Sequence, residues 1–196
     1  MTHTRRTVSA FILTPLLLVS VASCASDSAT AEAPTAAADV AAPEAPAKMA
    51  NDVPFAEGSD EWVAWSALMG PDGEYAAAAS YQAVLERYGD VEPYASILQA
   101  ELRHIDALVR QLQQMGVEVP DNPYLGTIAA PDDLTSAAEA WAEGEVLNVA
   151  MYDELLAYTD NPQLIRVLGN LRRASLESHL PAFEAAAANG GVSPSS

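Results

Sequence analysis

The sequence predicts an all-α protein: four long helices in a bundle, with a long crossover between the second and third, preceded by a short helix and a disordered tether. Three observations predict it. From position 59 onward apolar residues recur at spacings of three and four, and no stretch alternates as a strand would. Two of the three links between long segments are short, "GDVEP" and "TDNP", which makes each flanking pair antiparallel neighbours. The third link, "GVEVPDNPYLGTIAAPDDL" (116–134), is long and carries three prolines.

The chain has 196 residues, half of them hydrophobic, enough for one domain with a core. Its first 23 residues stand apart. "MTHTRR" is a short basic region, followed by the apolar run "VSAFILTPLLLVSVAS", the pattern of a secretory signal rather than a spanning helix. No later stretch reaches the roughly 18 apolar residues that a membrane span needs. "VASC", ending at Cys24, resembles the lipobox of bacterial lipoproteins, in which the cysteine is lipidated and becomes the first mature residue. Cys24 is the only cysteine in the chain and stands at the position this chemistry requires. The expected location is therefore extracytoplasmic, with lipidated Cys24 holding the protein to a bacterial membrane. Arg5-Arg6 hints at twin-arginine export, although "TVSAF" after the pair fits that signal poorly. With Cys24 lipidated no disulfide can form, so core packing or a ligand must hold the fold.

Removing the signal leaves seven basic residues against 27 acidic, a formal charge of −20. Such a chain repels nucleic acid and anionic headgroups and attracts divalent cations. Membrane attachment must then come from acyl chains. Solubility in a salty exterior explains the same charge. The following stretch, "ASDSATAEAPTAAADVAAPEAPAKMAND", has almost nothing large and apolar to bury, and residues 24–57 read as a flexible tether.

The folded domain is expected over 58–190, with a disordered tail at 191–196. "SDEWVAWSALMG" (59–70) reads as a short helix capped by Ser59 or Asp60 and stopped by Gly70. The first long helix opens at Pro71 and ends by Gly89, with Glu74, Tyr81 and Val84 on its inward stripe. The second runs from about Glu92 to Met115, its stripe including Tyr94, Ile97, Glu101, His104 and Leu108. The third runs from about Thr135 to Tyr158, with Ala138, Trp141, Glu145, Asn148 and Tyr152 inward. The fourth starts at the cap and first-turn pair Asn161-Pro162 and continues to about Ala188, with stripe Ile165, Leu168, Leu171, Ser175, His179 and Phe183. A 24-residue helix is about 36 Å long, so roughly eleven extended residues return along it, and the 116–134 link suffices. A four-helix bundle with one such crossover is the ferritin-like arrangement.

Each inward stripe carries a residue that is costly to bury alone. The first long helix offers Glu74, the second Glu101 and His104, the third Glu145 and the fourth His179. Counted from the short turns, their heights agree to within one or two helical turns. Apart from His3 in the signal, both histidines of the chain fall on these stripes. Carboxylates with imidazoles at a bundle centre suit iron or manganese: hard oxygens balance the charge and bridge, and neutral imidazole adds a terminal ligand. Ferritin-like carboxylate proteins take single glutamates from two helices and Glu-x-x-His from the other two. Glu101-Leu102-Arg103-His104 matches one such motif.

From about Asp72 to Ala186, the stretches "EYAAAASYQAVLERYG", "AELRHIDAL", "EGEVLNVAMYDELL" and "RASLESHLPAF" resemble the bacterial ferritin-like family catalogued as domain of unknown function 2202. The resemblance implies Glu74, Glu101, His104, Glu145 and His179 as metal ligands, with Tyr81, Asn148 and Tyr152 lining the same interior. The level set of these five residues points to one or two bound iron or manganese ions and, if catalytic, oxidation of Fe(II) or reduction of oxygen or peroxide, while the family's own activity is not established. The chain departs from the pattern on its fourth helix: Leu176, not Glu, stands three residues before His179, and Glu177 lies on another face. A metal-free reading stays open beside this one. Glu101 and His104 can form a buried hydrogen-bonded pair, Glu74 can serve the helix dipole, and Arg172, seven residues before His179, can neutralise Glu145 or Glu101. Under that reading the chain is an extracytoplasmic binding or structural module. A homodimer is a further partner the sequence leaves open; nucleic acid is not.

Overall fold

The computed structural model describes residues 53–194, and within them every regular element is helical. The proposed signal, Cys24 and tether residues up to 52 lie outside the described residues. The rest of the expected tether is folded, because Phe55 packs edge-on against Trp65 at 5.4 Å. Helix α1 spans Asp60–Met69 and is capped by Ser59, whose Oγ accepts from Trp62 N–H. Three long helices follow: α2 (Glu74–Tyr88), α3 (Tyr94–Gln114) and α4 (Leu134–Leu156). The fourth rod is composite, made of α5 (Pro162–Ala174), a π-helical turn (Ser175–His179) and α6 (Leu180–Ala188).

Side-chain pairings fix the directions. Tyr81 of α2 meets Glu145 of α4 and Glu74 meets Tyr152, so α2 and α4 are antiparallel. Tyr94, at the start of α3, donates to Leu134 O at the start of α4, so those two run parallel, as a long crossover requires. Tyr94 also packs on Phe183 of α6, and His179 meets Glu101, so the composite rod runs against α3. No helix of the described residues is long and apolar enough to cross a membrane.

Two apolar clusters hold the rods. One gathers Val63, Ala64, Ala67 and Leu68 of α1 with Leu108, Leu112, Leu155, Leu164 and Leu168. The other gathers Tyr81, Val84, Tyr94, Ile97, Ala137 and Phe183. Burying one side chain such as Phe183 stabilises the fold by about 2–3 kcal/mol. Along α3 the polar pair Glu101 and His104 falls between Ile97 of one cluster and Leu108 of the other. Ser175 and His179 fall likewise between Leu171 and Phe183. Gly73, the N-cap of α2, lets α1 lie against the helix start, since a Cβ there would sit 2.6 Å from Ala67 O.

The structure corrects the expected elements in three places. α2 starts at Glu74 rather than Pro71. Leu164, not Ile165, faces the core, and Ile165 is 40% exposed. The fourth rod is not a continuous α-helix: Leu180 N–H donates to Ser175 O, five residues back. Pro181 accounts for the break, because its ring cannot donate and would crowd the carbonyl four residues before it. The tail expected to be disordered from 191 begins with an ordered turn. Gly191 N–H donates to Ala186 O and Ser193 N–H to Glu92 O. Gly191 has φ +87°, and any Cβ there would overlap the Leu134 backbone at 2.0 Å.

Candidate metal centre

Glu101 and His104 lie one helical turn apart on α3, on its inward face. His104 Nδ1 is 2.8 Å from Glu101 Oε2 and 3.5 Å from Glu74 Oε2. From the opposite rod, His179 Nδ1 is 2.9 Å from Glu101 Oε1 and 3.4 Å from Glu145 Oε1. The two imidazoles stack at 5.5 Å. Glu101 therefore turns one carboxylate oxygen to each histidine and is common to two triads, Glu74–Glu101–His104 and Glu101–Glu145–His179. The candidate ligand atoms within each triad lie within 4.8 Å of one another, so each could hold a metal ion.

Around the triads α2 and α4 exchange hydrogen bonds reciprocally. Tyr81 of α2 donates to Glu145 Oε1 of α4 at 2.5 Å, and Tyr152 of α4 donates to Glu74 Oε1 of α2. On each helix the tyrosine follows the glutamate by seven residues, a spacing that returns a side chain to nearly the same face. The antiparallel pair thus forms a pseudo-two-fold unit. Asn148 ties the surroundings together: its Nδ2 donates to Asp72 O, and its Oδ1 accepts from Ser175 Oγ at 2.7 Å.

Burial makes this arrangement expensive. Glu74, Glu101 and Glu145 are 1–2% exposed, and an uncompensated ion at such depth costs several kcal/mol. Without a cation the groups neutralise one another. Burial, followed by the charge of Glu101, holds the Glu74 carboxyl well above its usual range. Burial alone would raise Glu101 as well, but the close Glu74 carboxyl and both histidines outweigh it and hold Glu101 well below the usual range. Burial also opposes charging of the histidines. The glutamates overcome it, raising His104 to about 10 and His179 to about 9. Both tyrosine hydroxyls are pushed well above 10, first by burial and then by the carboxylates beside them.

This self-neutralisation is incomplete in a telling way. His179 Nδ1, though 2.9 Å from a carboxylate oxygen, is buried without a properly directed hydrogen bond, and so is Glu74 Oε2. Each triad has one such orphan atom. A cation among the ligand atoms of each triad would satisfy it, and the donor set of hard carboxylate oxygens with imidazole nitrogen fits iron or manganese. Three carboxylates offset three of the four positive charges of two dications.

The structure brings together Glu74, Glu101, His104, Glu145 and His179, and places Tyr81, Asn148 and Tyr152 against them. It does not bring Arg172. That side chain lies at the surface in a two-pronged pair with Asp153, at 2.6 and 2.9 Å, and neutralises neither Glu145 nor Glu101. The π turn is the cause, because an extra residue between Arg172 and His179 carries Arg172 off the inward face. Along the same turn Leu176 is 39% exposed, Glu177 lies at the surface, and Ser175 is buried against Asn148. Sequence reasoning had Ser175 on the inward stripe but gave it no part in the site. It also missed the repeated glutamate–tyrosine spacing on α2 and α4, which was visible in the residue numbers. Trp141, on the inward stripe of the third long helix, packs edge-on against Tyr81 at 5.8 Å, and its indole N–H is buried without a partner.

No family model matches the chain, and neither does any curated protein or solved structure.

Proposed function

We propose that the protein is a ferritin-like metal-binding protein that holds one or two iron or manganese ions between its rods. It would be tethered outside the cytoplasm through lipidated Cys24. The observation that carries the reading is the pair of orphan atoms, Glu74 Oε2 and His179 Nδ1, one on each side of a shared Glu101. The family resemblance of the helix sequences supports it. Iron or manganese held by Glu74, Glu101, His104, Glu145 and His179 would supply one-electron chemistry toward a small oxidant such as oxygen or peroxide, or toward added Fe(II).

The chain's own part is to hold and to orient. Glu101 presents one oxygen to each half, and Glu74 and Glu145 close the two ends. Tyr152 and Tyr81 fix those terminal carboxylates by donating to the oxygen that faces them. His104 and His179 must give up their protons to bind, as must Glu74. The apolar clusters above and below exclude water from the long axis of the bundle.

A second reading is favoured by a specific observation. Glu101 pairs with both histidines, at 2.8 and 2.9 Å, and these pairs partly offset the cost of burial without metal, which suits a metal-free binding or structural module. One experiment separates the two. Purified protein is loaded with Fe(II) or Mn(II), freed of excess ion and analysed for metal, beside Glu101→Gln. The metal reading expects at least one equivalent in the parent, a raised Tm that chelator reverses, and loss of both in the variant. Less than about half an equivalent, with a Tm indifferent to chelator and to added ion, establishes the metal-free module instead.

A further inference from the structure

The apolar clusters above and below the centre close the long axis of the bundle, so an ion bound for the buried glutamates must enter from the side. One flank offers an opening. Between α2 and α4, beneath the 116–134 crossover, lies a cavity of about 550 Å³ whose lining includes Tyr81 and Glu145. The crossover above it is pinned on both sides: Tyr124 Oη donates to Met69 O, and Tyr88 Oη donates to Pro131 O. The opening is therefore a standing feature of the fold.

The two ends of the polar cluster differ in their relation to it. Glu74 Oε2 is sealed from water and has no partner, and Glu74 is not part of the lining. Glu145 is as deeply buried, at 2% exposed, and Tyr81 holds its Oε1. Its Oε2 takes no hydrogen bond from any described residue, yet it is not sealed as Glu74 Oε2 is, so a water-sized molecule reaches it. The charged residues of the lining are Asp72, Glu143 and Glu145, and all three are acidic. Asp72 and Glu143 stand exposed, whereas the walls between are mostly apolar and small, with Ala77, Ala140 and Gly144 among them. A cleft that carries one sign of charge on low-dielectric walls focuses its field and speeds entry of the opposite charge by about 10- to 1,000-fold. We propose that divalent cations enter the centre through this cavity, drawn in by Asp72 and Glu143 and received by Oε2 of Glu145. The proposal rests on the metal-binding reading above and adds the route to it.

The test mixes the metal-free protein with Mn(II) in a stopped-flow cell and follows the free ion with a fluorescent indicator. Chelator then draws the ion out again, and metal analysis gives the loading at equilibrium. Gly144→Leu fills the cavity from a position where a Cβ meets only Trp141 Cε3 at 3.9 Å. Because entry and exit share one path, it is expected to slow uptake and release about tenfold each and to leave Kd within about twofold of the parent. Ala140→Leu is a second filling variant should the first not fold. Asp72→Asn combined with Glu143→Gln is expected to slow uptake at least about threefold at low salt and to flatten its salt dependence, with loading unchanged. Asp106→Asn combined with Glu184→Gln removes the same charge from exposed positions outside the lining, and is expected to leave the rate within about twofold. Uptake as fast as the parent's in a filled variant, or equal slowing by the two charge pairs, overturns the proposal and leaves the metal reading standing. A parent that holds no Mn(II) at equilibrium overturns both.

Discussion

Glu101 meets His104 through one carboxylate oxygen and His179 through the other, and each terminal glutamate is gripped by a tyrosine from the helix opposite. In such a site no residue acts alone, because each carboxylate is oriented by a partner on another rod. Removing the hydroxyl of Tyr81 frees Glu145, and removing that of Tyr152 frees Glu74. Tyr81→Phe and Tyr152→Phe are each expected to weaken metal binding about tenfold or more, by similar amounts, in a competition titration against a chelator. Unchanged affinity in both would mean that the tyrosines only pack. At this scale the sequence was highly legible. Five costly residues on four apolar stripes, at one height, leave few arrangements other than a common centre. What spacing could not show was the pairing: which oxygen faces which nitrogen, and that Tyr81 serves Glu145 while Tyr152 serves Glu74.

The element that departs most from expectation is the fourth rod. Read as a continuous α-helix, it puts Arg172 on the inward face and makes Leu176 the missing acid of a second Glu-x-x-His. With the π turn at Ser175–His179 both lie outward, while Ser175 keeps the inward place its spacing gives it, hydrogen-bonded to Asn148. A π turn has no hydrophobic period of its own over five residues, so it leaves little trace in a pattern of threes and fours. Pro181 was the visible warning. Two substitutions separate the readings. Leu176→Glu, which a continuous helix would turn into a metal ligand, is expected to leave affinity within about twofold, whereas Ser175→Asp tightens binding by about tenfold, or roughly 1.4 kcal/mol. A gain from Leu176→Glu and none from Ser175→Asp would restore the continuous helix. The other helices were legible to within a few residues at their ends, because caps such as Ser59, Asp133 and Asn161 announce them.

For the whole molecule, the buried ionisable cluster links stability to pH, and the direction depends on metal. In the metal-free protein His104 and His179 titrate near 10 and 9 instead of 6.5. Their contribution is complete below about 6.5 and is lost as pH rises through those values. Glu101, held low, contributes above its ordinary 4.5 and loses that contribution as pH falls through its lowered range. Glu74, held high, adds to the loss on the alkaline side, since its ionisation is favoured more in the unfolded chain. Metal-free protein should therefore unfold in less denaturant at pH 9 than at pH 6. With metal present at a limiting concentration the trend should reverse, because the ion displaces the same protons and binds more tightly as pH rises. Midpoints of denaturant curves at the two pH values, with and without Mn(II), read both slopes. A metal-free protein that is more stable at pH 9 would contradict the charges assigned to the histidines.

The central claim is that cations belong on either side of Glu101. Anomalous diffraction from manganese-loaded crystals, recorded at the manganese edge, tests it most directly. Two peaks about 3.5–4 Å apart are expected, one against Glu74 and His104 and the other against Glu145 and His179, with Glu101 between them. A single peak touching Glu101 would mean a one-ion site. Peaks confined to the acidic surface, with nothing among these five side chains, would contradict the account.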